Sequence, residues 1–277
     1  SCMSCGERLT KRQLLTQPEE ASCSEEDCAV SFDHAVSRLG WCVQNFRGYQ
    51  KKILRDAFFE AFETYETGCA PVIQELNSGV RPERQTELLE RAAEAMLDEL
   101  SAGWEKKNDM EDEKVVLAIF FVPMVRKLQL PVSEEFVSLL QKKWVERYPK
   151  SPFYLGDYES ISGGFRKKFL GLCFITTAVC QELGKPDDCA ELTAFRAFRD
   201  GYLAAQPDGE ALIREYYNIA PGIVTCINTC SDRHASYERI REQYLTPCYE
   251  DLLAGRNADC KTRYVQMVRD LERKYLN

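Results

Sequence analysis

The sequence predicts an all-α, multi-helix protein, and three observations carry that expectation. Apolar residues recur at i, i+3, i+4 and i+7 in several windows of the 277-residue chain. Strict apolar–polar alternation, the mark of half-buried strands, does not recur, and no hairpin signal or fixed-period repeat is present. A hydrophobic fraction of 44% with 29% charged residues is that of a globular chain able to bury a core.

The elements follow in order. Residues 1–30 are poor in aliphatic side chains and hold four cysteines, so they form a small cysteine-rich segment. Helical patterning then begins: residues 49–64 place Ile53, Leu54, Ala57, Phe58, Ala61 and Phe62 on one face. In 84–100 the same rule is met by Leu88, Leu89, Ala92, Ala93, Met96, Leu97 and Leu100. Pro131-Val132-Ser133 opens another helix with Ser133 as its cap. Leu139, Leu140, Trp144 and Val145 make its apolar stripe, and it ends before Pro149. Prolines and glycines punctuate 148–164, which reads as a loop, and a domain border is expected between about 150 and 171. A helical domain therefore spans 31–155 and a second one 165–277. Within the latter, 174–180 is apolar and partly β-branched, open to helix or strand. Helices are expected over 192–204, 209–217, 221–230, 236–244 and 262–276.

Charge and hydropathy exclude several functions. A net charge of -8 and a pI near 5.1 argue against general nucleic-acid binding, which needs a basic surface. The basic runs Arg166-Lys167-Lys168 and Lys142-Lys143 read as solvated helix faces. The most apolar run, Val115 to Val125, is about half the length of a membrane span and carries Pro123. No signal-peptide pattern is visible, so a cytoplasmic location with reduced thiols is expected.

Thirteen cysteines is a heavy load, and an odd number cannot all pair within one chain. The sharpest constellation is Cys2-Met3-Ser4-Cys5-Gly6 followed by Cys23-Ser24-Glu25-Glu26-Asp27-Cys28. A C-x-x-C turn presents two thiolates to one ion, and a second pair completes a tetrahedral sulfur site. The expectation is one structural zinc on Cys2, Cys5, Cys23 and Cys28; a free-thiol tail and a redox dithiol are the alternatives. Four thiolates leave no open position, so such a site is not catalytic. Cys42 and Cys69 read as small buried hydrophobes. Cys226 and Cys230, at i and i+4, share a helix face and form either packing or half of a metal or reactive-thiol site. Cys173, Cys180, Cys189, Cys248 and Cys260 are possible further ligands, with nothing in their spacing to say which are neighbours. The two histidines, His34 and His234, read as ordinary helix residues. No phosphate loop, H-E-x-x-H helix or nucleophile elbow is present.

The run Cys173-Phe174-Ile175-Thr176-Thr177-Ala178 is followed by Leu192-Thr193-Ala194-Phe195-Arg196-Ala197-Phe198-Arg199-Asp200, then Tyr216-Tyr217 and Ala220-Pro221. Over about residues 172–230 this order resembles the bacterial CFI-box C-terminal domain family. The chain departs from it at Cys180-Gln181, where Tyr-Gly is common, and in its cysteine-rich tail. The resemblance implies a bacterial source and a domain border, and it supplies no catalytic residue.

Read physically, Phe195, Phe198 and Leu203 form an apolar face that draws Arg196 and Arg199 towards the core. One reading is an internal clasp with an acidic side chain or helix-end carbonyls, for which Arg199→Ala costs about 2–4 kcal/mol. The other is an anion-binding cleft. Cys173 as a nucleophile lacks a nameable base.

Three functions survive. The leading expectation is a non-enzymatic adaptor that carries structural zinc and binds a protein partner. The second is an enzyme with its site around Cys173, Arg196 and Arg199, for which a cleft joining Cys173 to a base or cation would speak. The third is a thiol-based redox or metal sensor, favoured by close sulfur pairs outside residues 1–30.

Overall fold

The computed structural model describes residues 24–106, 108–166, 173–230 and 232–277. Among them every named element is a helix, and the one β-feature is an isolated bridge between Phe153 and Cys230. None of these helices is long and apolar enough to cross a membrane.

The chain opens on α1 (Glu25–Leu39), where the Ser24 hydroxyl accepts the Asp27 N–H at 3.1 Å and three acidic residues meet the positive helix end. After the short α2 (Trp41–Gln44), Gly48 turns at φ 89° into a 3₁₀ turn, Tyr49–Lys52. The helix expected over 49–64 instead starts at Phe58, as α3 (Phe58–Gly79). Ile53 is buried from the irregular segment between, so its side chain joins the core without a helix beneath it. Then come α4 (Gln85–Ala102), α5 (Asp109–Val116), α6 (Val122–Leu128) and α7 (Ser133–Arg147).

In α7 the buried stripe is Phe136, Val137, Leu140 and Trp144, while Val145 is exposed. Ser133 is the first helical residue rather than the cap, and its hydroxyl accepts the N–H of Leu130 at 3.1 Å. The segment expected to be a loop contains α8 (Tyr158–Arg166). The second half continues with α9 (Phe174–Glu182), α10 (Ala190–Ala197), α11 (Gly209–Asn228), α12 (Arg233–Ile240), α13 (Thr246–Leu253) and α14 (Asn257–Tyr275). The ambiguous 174–180 stretch is thus helix. The two helices expected over 209–217 and 221–230 are one, running through Pro221.

Two of the three π-helical turns among the described residues have a covalent cause. Proline lacks the N–H that an α-helix would donate to the fourth residue back. Before Pro123, Val122 donates to Leu117, five residues back; before Pro247, Thr246 donates likewise to Arg241. The third π turn, Phe198–Leu203, contains Gly201.

The Val115–Val125 run lies at the centre of the molecule, and Val116 to Val122 are buried without interruption, as an all-round apolar helix must be. Around Phe120 pack Tyr49, Phe58, Phe62 and Tyr65. Phe58 stacks on Phe165 of α8, with centroids 4.2 Å apart. The buried apolar residues form one core from Phe32 to Leu276, which crosses the expected domain border. At that crossing, α11 lies against the 53–56 segment: Asn218 accepts the Arg55 N–H through its carbonyl and the Asp56 N–H through its side chain. A Cβ on Gly222 would stand 1.9 Å from the Ile53 carbonyl oxygen, so only glycine permits this approach.

Candidate functional site

The reversal between α9 and α10 brings two cysteines together. Cys180 lies near the end of α9, and Cys189 is the residue that starts α10. The chain between them turns at Gly184, φ 67°, and is tied back by the Lys185 N–H, which donates to the Cys180 carbonyl at 2.8 Å. The two sulfurs end 3.7 Å apart, Cys180 buried and Cys189 half-buried. A Glu191 carboxylate oxygen joins them, all three atoms lying within 4.8 Å of one another. Lys185 forms an ion pair with Glu191. Burial first, then the neighbouring Cys189 thiol, pushes Cys180 up to about 12, against the opposing pull of Lys185.

Arg196 holds this turn in place. Its Nη1 donates to the Asp187 carbonyl at 2.8 Å, and its Nη2 donates to both carboxylate oxygens at 2.9 and 3.0 Å. Arg199, three residues on, points elsewhere. It is buried in the π turn and donates to Asp200 through Nε at 2.6 Å and Nη2 at 2.8 Å, while Nη1 faces the Cys173 sulfur at 3.5 Å. The expected pair Arg196–Arg199 therefore splits between two sites.

Cys173 and Arg199 line a cavity of about 50 Å³ together with Phe195, Phe198, Leu203 and Val268. Burial pushes the Cys173 thiol up despite the adjacent guanidinium. The carboxylate in that wall, Glu215, is engaged by Arg269 at 2.5 Å, and no histidine lines the cavity. The cavity thus joins the thiol to a cation, Arg199, which favours the thiolate, while burial opposes it and outweighs that pull.

Six of the other described cysteines fall into three neighbouring pairs. Cys69 donates to the Cys42 carbonyl at 3.9 Å, and each thiol is fully buried. Cys248 donates to the Cys260 carbonyl at 3.9 Å, again with both buried. The shared thiol hydrogen bond and burial push Cys42 and Cys260 far above the usual thiol range. Cys226 and Cys230 do not share a helix face as expected, because α11 ends at Asn228 and Cys230 lies beyond it; each gives its thiol to a backbone carbonyl, of Tyr275 and Cys226 respectively. Of the expected zinc ligands, Cys2, Cys5 and Cys23 lie outside the described residues. Cys28 is in α1 on the buried side that also carries Phe32, Ala35 and Leu39. Among the described residues, Cys180, Cys189 and Glu191 are the one group placed to share a metal ion.

Sequence reasoning named Cys180 and Cys189 only as possible further ligands and missed Glu191, Lys185 and Asp187. The local signal was Cys189-Ala190-Glu191 at the start of a helix, facing a second cysteine across a Gly-Lys-Pro turn.

No family model, curated protein or solved structure matches the chain. The CFI-box resemblance rests on the residues quoted for it.

Proposed function

We propose that this chain is a thiol-based redox sensor whose sensing pair is Cys180 and Cys189. The observation that carries the reading is the 3.7 Å separation of the two sulfurs, one of them on a half-buried residue, at a turn between helices. The other close pairs are less suited to sensing. Cys42–Cys69 and Cys248–Cys260 have no exposed sulfur for an oxidant to reach, and Cys230, beyond the end of α11, gives its thiol to the Cys226 carbonyl and not to the Cys226 sulfur.

The chemistry balances with a peroxide as oxidant. The Cys189 sulfur attacks the peroxide, displacing hydroxide and becoming a sulfenic acid. Cys180 then attacks that sulfur; the S–S bond forms, the S–O bond breaks and the second oxygen leaves as water. Two thiols lose two electrons and two protons, and one hydrogen peroxide becomes two waters. Closing the sulfurs to about 2.05 Å draws the start of α10 towards α9. Because α10 continues into the π turn that carries Arg199, the movement enters the core of the C-terminal half.

Peroxide treatment of the reduced full chain, followed by alkylation and peptide mapping, tests this. A linked Cys180–Cys189 peptide is expected, reversed by dithiothreitol. Full alkylation of both residues after treatment would reject the pair as a sensor. The adaptor reading, with zinc on Cys2, Cys5, Cys23 and Cys28 and a protein partner, rests on the N-terminal spacing, and elemental analysis of Cys2→Ser against the unaltered chain tests it.

A further inference from the structure

The same three side chains have a second chemistry. We infer that Cys180, Cys189 and Glu191 bind a single thiophilic divalent cation of the zinc class, in exchange with solvent. This rests on the pair assigned above to redox sensing, and it deepens that reading by naming what the reduced pair holds.

Distances support it first. Two sulfurs bound to one zinc ion at about 2.3 Å in a tetrahedron stand about 3.8 Å apart. Cys180 and Cys189 are 3.7 Å apart, so both sulfurs reach one ion with little movement. The Glu191 oxygen, within 4.8 Å of both, needs only a side-chain swing to become the third ligand. That swing breaks the Lys185–Glu191 pair, whose side chains are each 30% exposed, and partly exposed pairs contribute little. A cavity of about 20 Å³ adjoins Cys180, Lys185 and Glu191, enough for a water molecule or an ion.

Charge supports it second. Two thiolates and a carboxylate carry three negative charges against two on the ion. Lys185, released from its pair with Glu191 but still on the same turn, leaves a positive charge beside the excess negative one. The ion replaces the two thiol protons, so each ion bound releases two protons and binding weakens as pH falls. With three protein ligands and Cys189 half-buried, the fourth position is left to water. Such a site is exchangeable, unlike a closed four-sulfur site. Metal binding and disulfide formation use the same two sulfurs, so each excludes the other.

Anaerobic titration of the reduced full chain with Co²⁺, followed by thiolate-to-metal charge-transfer absorption, provides the test. The chain with both thiols is expected to bind one more equivalent than Cys180→Ser. Glu191→Gln keeps the sulfurs and the surface helix start, and should weaken that equivalent by about tenfold or more. The same number of equivalents in the unaltered chain and Cys180→Ser, or unchanged affinity in Glu191→Gln, would overturn the inference. Disulfide mapping on chelator-treated protein separates the two ideas: a linked peptide with no lost Co²⁺ equivalent removes the metal site alone.

Discussion

Arg196 donates three hydrogen bonds to Asp187, one to its carbonyl and two to its carboxylate, across the turn that carries Cys189. The contact spans nine residues and fixes the start of α10 against the turn before it. Arg196 is thus a positioning residue: it touches neither sulfur and sets where one of them lies.

Arg196→Ala should release the turn and slow Cys180–Cys189 disulfide formation several-fold, since a looser pair meets less often in reactive geometry. The Asp187 side chain is 66% exposed, so the stability loss should stay below about 1 kcal/mol. Arg196→Lys, which keeps the charge but loses the fork, should recover only part of the rate. An oxidation time course on the three chains checks this; equal rates would detach Arg196 from the pair.

Arg199 and Asp200 form an unequal pair: the Arg199 side chain is 10% exposed and that of Asp200 is 65% exposed. Removing the arginine leaves a carboxylate that water can solvate, so the cost of breaking this pair falls mainly on the variant that keeps the buried guanidinium. Arg199→Met, which also keeps the packing, should cost under about 1 kcal/mol. Asp200→Ala instead leaves a buried guanidinium short of its main acceptor and should cost about 1–3 kcal/mol. Urea unfolding of both variants gives the order; a costlier Arg199→Met would contradict it.

Glu113 is fully buried and accepts from Arg47 Nε at 2.6 Å and Trp104 Nε1 at 2.7 Å. Burial outweighs both donors and raises its pKa above the ordinary value of 4.5. The folded chain then holds a proton that the unfolded chain gives up. Stability from this group therefore falls as pH rises from about 4.5 through the raised folded value, and levels off above it. Glu113→Gln removes the titration, so unfolding midpoints of the two chains should diverge across that window. Parallel curves would contradict the assignment.

Gly222→Ala places a methyl against the Ile53 carbonyl, 1.9 Å away. Backbone must move on one side of the contact between α11 and the 53–56 segment. A loss of about 1–3 kcal/mol is expected in thermal or urea unfolding, the scale of overpacking. A neutral substitution would mean that the contact is looser than it stands here.

The sequence showed the helical class because its long amphipathic windows had no competitor. All seven apolar positions picked out in 84–100 are buried in α4. It misled where burial and helix part company: Ile53 reaches the core from an irregular segment, and Glu113, in an acidic run, is buried by its partners. It also misled at Pro221, where the buried run Ile219 to Ile223 outweighs a missing N–H and keeps α11 continuous. The cysteine pairs were illegible for another reason. Separations such as that of Cys42 and Cys69 are set by how whole helices pack, which no local pattern encodes. Cys180 and Cys189 were nearer to legible, because one turn joins them.

The most direct test is a redox equilibrium on the full chain. Protein is held in glutathione buffers of graded reduced-to-oxidised ratio, quenched with acid, alkylated and digested, and the Cys180–Cys189 peptide is quantified. One reversible two-electron transition confined to this pair, absent in Cys189→Ser, is predicted. No linked peptide at any ratio, or the same loss of free thiols in Cys189→Ser, would contradict it.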